Sequence, residues 1–583
     1  MKKSKNLKLN ESLLLLWGHI SRKRKKQILM LVILILLGSF AEIISIGLVV
    51  PFLGVISSPE RIFNHPYAKP LINLLSISKP NEMLFSIILI FMTVILIAGA
   101  LRILILFVNN RLSFAVGSDL SIEIYHRILY QPFNVHMGRN SSELINLITK
   151  VNDVIDRILS PVVFMFTNSI MLFIISIAIF MMNPIVAISC FGGFGLIYFF
   201  INQVTKKKIN QHSYIISNNS KQLIKCLQEG LGGIRDVLID GSQETFIEIY
   251  KRSDVTLRCS QGNNQFIAQC PRFGIETLGM LLIAGLAYIL SAKSGEVNNA
   301  LPILATFAFA AQRLLPLMQT VYQNQSTIKS HQQILFDLVR LLEEPILRYS
   351  SKEKEKKLDF NKIIKFNGVS FKHQPNSNWI LRNINLSVKK GSVVGFVGKT
   401  GSGKTTLLDI LMGLQKPTTG YLSVDNIKVN KKNMRSWQKH IAHVPQSVYL
   451  SDATIQENIA FGISPDKIDF KLVRESAKRA QIDTTIMKWP DQYKTMVGER
   501  GVRLSGGQCQ RIGIARALYK KADVIIFDEA TSALDNKTEE DLNQSIKELS
   551  KEITIFIVAH RLSSLKNCNV VYDVSDNFKV KIF

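Results

Sequence analysis

The sequence has few cysteines, few acidic residues and no pair of cysteines at a metal-binding spacing. Its six cysteines lie far apart and none forms a C-x-x-C pair, so we interpret them as reduced thiols and expect neither a disulfide framework nor a zinc site. Acidic residues number 44 against 71 basic ones, a formal net charge of +27. A chain that is 47% hydrophobic and 20% charged is not disordered throughout. This basic excess is typical of nucleic-acid binders and of membrane proteins with basic cytoplasmic loops.

Long apolar runs in the first half of the chain favour the membrane protein. A helix that crosses a bilayer needs about 20 mostly apolar residues. Six runs meet or approach this length, at 28–56, 83–107, 158–182, 185–201, 273–292 and 300–318. The last run contains Gln312 and Arg313 and is the weakest of the six. We therefore predict six membrane spans and no nucleic-acid partner, with buried soluble helices as the alternative for the last two runs.

Basic residues set the predicted orientation and help to divide the chain. Nine of the first 26 residues are lysine or arginine, which places the N-terminus in the cytoplasm.

We predict an N-terminal segment with a surface helix at 1–26, a six-helix membrane domain at 27–340, a linker at 341–358 and a second domain at 359–583. The linker contains a run of charged residues, typical of an exposed connection. After the linker, short β-branched runs alternate with helical patterns, which predicts α/β units around a mostly parallel sheet.

A glycine-rich loop in the second domain predicts a phosphate-binding site. The strand pattern at 393–397 runs into G-K-T-G-S-G-K-T, which matches G-x-x-x-x-G-K-[ST] between a strand and a helix. The glycines let backbone N–H groups face the phosphates, Lys404 supplies a positive charge, and the Thr405 hydroxyl is a Mg²⁺ ligand. The predicted phosphate-binding residues are Gly398, Lys399, Thr400, Gly401, Ser402, Gly403, Lys404, Thr405 and Thr406. The loop therefore predicts a nucleotide bound with Mg²⁺.

Two adjacent carboxylates end a second buried-strand pattern. Residues 524–527 are apolar and are followed by Asp528 and Glu529. A strand that delivers both at its carboxyl end puts Asp528 in the Mg²⁺ shell and Glu529 near the water that attacks the γ-phosphate. Two acids at a strand end are unremarkable alone, but together with a phosphate-binding loop they predict nucleotide hydrolysis.

Between these motifs lies Leu504-Ser505-Gly506-Gly507-Gln508, and with this pentapeptide the second domain resembles the ATP-binding-cassette transporters. The resemblance implies a type I exporter fold, in which an all-α six-helix transmembrane domain precedes an α/β P-loop nucleotide-binding domain. It implies ATP as the nucleotide. It also implies a dimer, most simply a homodimer, because the family's pentapeptide faces the phosphate loop of the other subunit. Ser505 and the glycine N–H groups suit that role, since they can cap a γ-phosphate at the start of a helix.

The resemblance extends to the other motifs of the family's cassette. Gln446 matches the glutamine that contacts Mg²⁺ and water, and His560 matches the histidine that contacts the γ-phosphate. With Glu529 these two residues form the predicted catalytic set. The segment 497–501 resembles the exporter-specific X-loop, which favours an exporter over an importer. The family's D-loop corresponds to Ser532, Ala533, Leu534 and Asp535.

One position departs from the family pattern. The family places an aromatic residue near the first strand of the cassette, where it stacks on adenine, and here His373 occupies that place. An imidazole stacks more weakly than a tyrosine ring, and Phe371 and Trp379 are the alternatives. The sequence leaves adenine stacking open among these three residues.

The membrane half carries a second, narrower resemblance. The segments 40–52, 271–276 and 313–316 are similar to the PglK-type flippases of bacterial protein glycosylation, which move lipid-linked oligosaccharides from the inner to the outer leaflet. The resemblance implies a flippase in a bacterial inner membrane that moves an amphipathic, lipid-linked substrate by alternating access. Exporters of peptides or hydrophobic drugs, and an ATP-gated channel, are the alternatives on the same scaffold.

Charged residues within the predicted spans are candidates for the substrate path. Arg102 and Arg313 need a partner or a wet cavity, because a charge exposed to lipid is costly. Both suit an anionic head group. The equally weighted alternative is that they pair with Glu42 or Glu276, or that they extend to the inner membrane interface, as Arg102 could from its depth. We retain all four residues as candidates.

Overall fold

The computed structural model of the chain describes residues 9–57, 80–138, 151–182, 184–294, 297–344, 358–374, 376–498, 501–529, 553–558, 565, 568–574 and 580–582. The chain divides into two compact units, one at 1–131 with 136–346 and the other at 132–135 with 347–583. Five of the six cysteines, Cys226, Cys259, Cys270, Cys509 and Cys568, are free thiols in this structure.

Helices make up the regular structure of residues 9–344. They are α1 (Leu9–His19), α2 (Arg22–Gly47), α3 (Val49–Ser57), α4 (Pro80–Leu129), α5 (Phe133–Met137), α6 (Ser160–Met182), α7 (Pro184–Gly232), α8 (Ile234–Ile239), α9 (Gln243–Ser294), α10 (Val297–Ser330) and α11 (Gln332–Leu342). The π-helical turn Ile155–Leu159 leads into α6. The N-terminal segment contains the predicted helix as α1, whose place on the membrane surface stays a prediction. Ser21 caps the start of α2 by accepting from the Arg24 N–H group.

Three of these helices are much longer than a membrane is thick. The helices α4, α7 and α9 have 50, 49 and 52 residues. At 1.5 Å per residue each is about 75 Å long, against a hydrocarbon core of about 30 Å. Each therefore extends far beyond the apolar layer.

Three helices of the described residues meet the length and hydropathy of a membrane span. They cover Arg22–Gly47, Leu84–Leu129 and Val151–Met181. The other predicted spans, at 185–201, 273–292 and 300–318, fall within α7, α9 and α10, where many side chains lie outside the described residues. The first predicted run is interrupted near Leu48, where α2 ends and α3 begins.

Close packing joins α2 and α4. A Cβ atom on Gly38 would lie 2.6 Å from Ile105 Cδ1, so the two helices approach each other closely at this glycine. At the basic end of α2, Arg24 Nε donates to Asp119 Oδ2 at 2.9 Å. Ile35 on α2 is fully buried. These contacts fix α2 and α4 side by side and antiparallel.

Two sheets form the framework of the second domain. The strands are β1 (Ile363–Phe371), β2 (Leu381–Lys389), β3 (Val393–Val397), β4 (Thr419–Val424), β5 (Ile427–Lys428), β6 (Ile441–Val444), β7 (Val524–Asp528), β8 (Thr554–Val558), β9 (Val570–Val574) and β10 (Val580–Ile582). One sheet has the order β2-β1-β4-β5 and is antiparallel. The other has the order β10-β9-β3-β8-β7-β6, with only the β10–β9 pair antiparallel. This confirms the predicted α/β domain.

The strands β3, β7 and β8 are apolar and buried because both faces of the parallel sheet are covered. The α-helices of this domain are α12 (Lys404–Leu411), α13 (Met434–Lys439), α14 (Ile455–Ile459), α15 (Phe470–Arg479), α16 (Asp483–Ile486) and α17 (Gly506–Tyr519). The carboxyl ends of β3 and β7 lie at the same edge of the sheet, and each is followed by a motif predicted from the sequence.

Candidate functional site

The phosphate-binding loop connects β3 to α12, and its three glycines, Gly398, Gly401 and Gly403, hold conformations that other residues rarely adopt. Gly398 has a φ angle of 148° and Gly403 one of 97°. A Cβ atom on Gly398 would lie 2.6 Å from the Val574 carbonyl oxygen, and one on Gly403 would lie 2.9 Å from Leu381 Cδ2. Only glycine fits both places. The loop therefore has the strand–loop–helix context that the sequence predicts.

Lys404 is the first residue of α12, and its side chain folds back over the loop. The residue is 7% exposed. Its Nζ donates to the carbonyl oxygens of Gly398 at 2.6 Å and Lys399 at 3.1 Å. Burial lowers the pKa of this ammonium group, and the carboxylates of Glu529 and Asp528 act in the opposite direction. The positive charge thus lies at the loop, close to the two predicted acids.

Ser402 gives the loop an unused hydrogen-bonding group. Its Oγ is buried and has no hydrogen-bond partner among the residues that the structure describes. Leaving a buried polar group unpaired costs about 1–3 kcal/mol, which a phosphate oxygen would offset. Thr405 is exposed and Thr406 half-buried in the first turn of α12. This arrangement fits the phosphates of a nucleotide.

Glu529 follows β7 in a strained backbone conformation. Its φ angle is 53°, in the left-handed region that residues other than glycine rarely adopt and that is often found at functional sites. Its N–H group donates to the Val558 carbonyl oxygen at 3.0 Å. Its Oε2 accepts a hydrogen bond from Gln446 Nε2 at 2.8 Å. The fold thus joins two predicted catalytic residues that are 83 positions apart in the chain.

Asp528 is half-buried at the end of β7. Burial raises the pKa of this carboxyl group, the neighbouring Glu529 raises it further, and Lys404 acts against both. A second acid, Asp409 on α12, has its pKa raised to about 6 by burial and by Asp528. The site therefore contains more acidic groups than its motifs indicate.

The residues predicted to bind Mg²⁺ are suited to an ion that arrives with a nucleotide. The described part of the chain contains no group of three or more His, Cys, Asp and Glu side chains that would hold a metal alone. Mg²⁺ bound with a nucleotide needs only one or two carboxylates, because phosphates and waters complete its shell. Asp528, Thr405 and Gln446 offer the oxygen ligands that Mg²⁺ prefers, and their role as ligands stays a prediction.

The signature pentapeptide begins α17 with a reciprocal cap. Ser505 Oγ accepts from the Gln508 N–H group at 3.3 Å, and Gln508 Oε1 accepts from the Ser505 N–H group at 2.9 Å. Gly506 and Gly507 form the first turn, and Leu504 is partly buried before it. The exposed start of a 14-residue helix is electrostatically suited to an anion.

Several predicted site residues lie outside the described residues. They are His560, Ser532, Ala533, Leu534 and Asp535. The strand β8 ends two residues before His560. His373 is described and exposed, with its ring edge-on to Phe371 at a centroid distance of 5.3 Å. Which residue stacks on adenine stays a prediction.

Arg516 is a residue that motif reasoning missed. It lies on α17 and donates hydrogen bonds to the backbone of the segment that follows Gln446. No short motif contains it. The only signal in the sequence is a charged residue within the otherwise apolar and small-residue stretch 512–518.

The candidate charges of the membrane spans form a cluster around Glu42. Glu42 on α2 is 2% exposed. Its carboxylate lies 2.7 Å from Arg102 Nε on α4 and 3.5 Å from Arg313 Nε on α10. Neither contact has the geometry of a hydrogen bond, since both Glu42 oxygens and Arg102 Nε lack such a partner among the described residues. One carboxylate thus faces two arginines, and charge attraction alone holds the cluster.

Glu276 is not part of this cluster in the described structure. It pairs with Arg272, four residues earlier on α9, at 2.8 Å, and both side chains are about half exposed. The alternative in which the two arginines pair with a carboxylate is therefore confirmed with Glu42 as the partner.

An apolar groove of about 1090 Å³ lies between α2 and α4. Leu31, Leu34 and Phe107 line it, and Arg24 and Arg111 stand among its few polar residues. Arg24 marks the basic end of α2. The groove therefore combines apolar walls with positive charge at one end.

Two family models match the two parts of the chain. The model described as ABC transporter transmembrane region matches residues 27–311, and the model described as ABC transporter matches residues 381–532. The second match includes the phosphate-binding loop, the pentapeptide and the two carboxylates.

Relatives and a solved structure match over most of their length. An ATP-dependent lipid A-core flippase of Saccharophagus degradans is 29% identical over 80% of this chain and 78% of that protein. The heterocyst differentiation ATP-binding protein HepA of Nostoc sp. is 29% identical over 96% of this chain and 90% of that protein. The structure of a bacterial Atm1-family ABC exporter with ATP bound matches with a TM-score of 0.75 and 21% identity, over 95% of this chain and 94% of that one. This structural match confirms the predicted fold class.

Proposed function

The chain belongs to the ABC transporter family, and from this premise we propose that it is an ATP-driven exporter that flips an amphipathic, lipid-linked molecule across a bacterial inner membrane. A lipid-linked oligosaccharide is the substrate we favour. The observation that carries the proposal is the hydrogen bond between Gln446 and Glu529, which aligns the base of the hydrolytic site. The same chain carries the helices that cross the membrane.

Each polar residue of the nucleotide site has a role in hydrolysis. Glu529 accepts the proton of the water that attacks the γ-phosphate, and its hydrogen bond to Gln446 fixes the direction of its carboxylate. Lys404 stabilises negative charge on the phosphate oxygens. Mg²⁺, when bound, neutralises charge on the β- and γ-phosphates. His560 would contact the γ-phosphate.

A homodimer completes the site in this proposal. The N-terminus of α17 with Ser505 would cap the γ-phosphate of ATP bound to the partner copy. Two copies related by a twofold axis then form two equivalent sites. ATP binding closes the cassettes and hydrolysis reopens them, which drives alternating access of the membrane domain. The cassette and the N-terminus face the cytoplasm.

Two features of the membrane unit support a lipid substrate. The groove between α2 and α4 offers apolar walls for an acyl chain and positive charge for an acidic head group. The Glu42 cluster keeps two arginines for one carboxylate, an excess of positive charge that suits an anionic group. The relative in Saccharophagus degradans, named as a lipid A-core flippase, supports the lipid class but not the particular lipid.

Substrate-stimulated ATP hydrolysis tests this proposal. The purified protein in lipid nanodiscs would be offered a lipid-linked oligosaccharide, lipid A-core, a hydrophobic peptide or a hydrophobic drug. We expect stimulation by a lipid-linked substrate, and none in the Glu529→Gln variant, which measures background hydrolysis. Stimulation by the peptide or the drug alone would overturn the lipid assignment, and a monomer by mass measurement would overturn the homodimer.

A further inference from the structure

Arg516, near the end of α17, binds residues 447–458, which we call the linking segment. Its Nε donates to the Asn458 carbonyl oxygen at 2.8 Å, and its Nη1 donates to the Tyr449 carbonyl oxygen at 2.9 Å. The guanidinium also lies over the Phe461 ring, 4.6 Å from the centroid. Burial lowers the pKa of Arg516 to about 10. This cation therefore donates to two backbone carbonyl oxygens, and its Nη2 also donates to the Asn458 side-chain oxygen at 3.4 Å.

The linking segment is itself held in one conformation by Asn458. This side chain is fully buried. Its Oδ1 accepts from the Ser451 N–H group at 2.9 Å, and its Nδ2 donates to the carbonyl oxygens of Ser451 at 3.0 Å and Thr454 at 3.1 Å. Arg516 thus binds a segment that its own hydrogen bonds hold in one conformation. A movement at the Gln446 end of this segment therefore also moves the end at Asn458.

Apolar contacts press the start of the linking segment against α17. A Cβ atom on Gly513 would lie 2.7 Å from Val448 Cγ2, so the helix and Val448 are in close contact. Leu450 is fully buried, and a Cβ atom on Gly501 would lie 2.9 Å from its Cδ1. Three successive residues, 448–450, therefore contact α17 or the turn before it.

We propose that Arg516 is a positioning residue that transmits the position of Gln446 to Ser505, and so connects the two ATP sites of the dimer. Gln446 orients Glu529 in one site. Ser505 begins the helix that carries Arg516 eleven residues later, about 17 Å along a single rigid element. In the homodimer of the proposed function, on which this inference rests, Ser505 serves the ATP of the partner copy. A change at the γ-phosphate of one ATP site would thereby shift Ser505, which contacts the γ-phosphate of the other site.

The test is ATP hydrolysis by the purified full-length protein over a range of ATP concentrations. Arg516→Ala removes all three hydrogen bonds of the guanidinium to Tyr449 and Asn458, and we expect the Hill coefficient to fall to about 1 while the half-saturating ATP concentration rises on the order of fivefold. Arg516→Lys keeps the charge but not the fork of donors and should give an intermediate value. The matched control is Arg511→Ala on the same helix, whose hydrogen bonds go to Gly507 and Gln481. It should remain cooperative.

A second perturbation keeps the inference testable if Arg516→Ala fails to fold. Gly513→Ala places a methyl group in the contact with Val448, in a helix that favours alanine. It should also lower the Hill coefficient, with little change in thermal midpoint. A cooperative dimer whose Hill coefficient is unchanged in the folded variants overturns this inference alone. A monomeric or non-hydrolysing protein overturns the proposed function as well.

Discussion

The nucleotide site and the Glu42 cluster both place charges in partly dry surroundings, but they hold them differently. At the nucleotide site, glycine conformations, strand ends and the Gln446–Glu529 hydrogen bond direct each group. In the membrane unit, Glu42 faces Arg102 and Arg313 without a hydrogen bond to either. The first arrangement is built for defined chemistry. The second is a charge balance that a change of partner can alter.

The largest expected effect is a loss of ATP hydrolysis when the base of the nucleotide site is removed. Glu529→Gln keeps a side chain of the same shape but removes the base, so we expect hydrolysis to fall on the order of 10²-fold or more. Phosphate release from the purified protein measures it. The control is Glu475→Gln on α15, where a surface pair with Arg479 is lost. Hydrolysis within a few-fold of wild type in Glu529→Gln would remove Glu529 from the mechanism.

A smaller expected effect comes from a substitution at Ser505 that distinguishes its role as a helix cap from anion binding at the signature pentapeptide. Aspartate caps a helix as well as serine does, so Ser505→Asp should leave the thermal midpoint unchanged. Its negative charge would repel a γ-phosphate, and we expect hydrolysis to fall on the order of tenfold or more. Ser505→Ala is the converse control, since it loses the cap but adds no charge. Normal hydrolysis in Ser505→Asp would show that no phosphate binds there.

The membrane cluster is tested by removing its one negative charge. Glu42→Gln leaves two arginines close together without a counter-ion, so we expect the thermal midpoint in detergent to fall by roughly 5–10 °C. Glu276→Gln breaks only the half-exposed ion pair with Arg272, four residues earlier, and should change the thermal midpoint by about 1 °C or less. Equal midpoints for the two variants would contradict the distinction between buried and surface pairs.

The smallest effect concerns pH and a buried acid of the nucleotide-binding domain. The pKa of Asp409 is raised to about 6 in the folded protein from a reference of 3.8. A raised carboxyl pKa means that ionisation disfavours the folded state, so stability is lost as pH rises through 6. Asp409→Asn should therefore raise the thermal midpoint at pH 7.5 by a few degrees, and by less at pH 5.5. The exposed Asp452→Asn is the control, and a gain that is equal at both pH values would refute the assignment.

Much of the nucleotide site was predictable because its motifs are local. The loop at 398–405 needs glycines at fixed offsets, and a buried strand ending in two acids is visible in a single window of sequence. The cap between Ser505 and Gln508 also has a local signal, the S-x-x-Q spacing. The strands β3 and β7 were predicted for the same reason, since fully buried parallel strands appear in the sequence as apolar runs.

The remaining features depend on pairing between distant segments. The sequence indicated that Arg102 and Arg313 need partners but left Glu42 and Glu276 as equal choices, because the antiparallel packing of α2 on α4 decides which carboxylate is near. Eighteen residues of α2 separate Arg24 from Glu42, and seventeen of α4 separate Arg102 from Asp119, about 26 Å in each case. One interhelical register thus explains both ion pairs. Arg516 was missed because its contacts lie 58 and 67 positions away.

The most direct test of the account is lipid translocation driven by ATP. Proteoliposomes with a labelled lipid-linked oligosaccharide in the leaflet exposed to ATP and the cassettes would be compared for the wild type and Glu529→Gln, with glycosidase access reporting the leaflet. The account predicts ATP-dependent loss of access for the wild type and none for the variant. ATP hydrolysis without translocation would contradict the flippase assignment, and translocation that persists in Glu529→Gln would contradict the role of the nucleotide site as its motor.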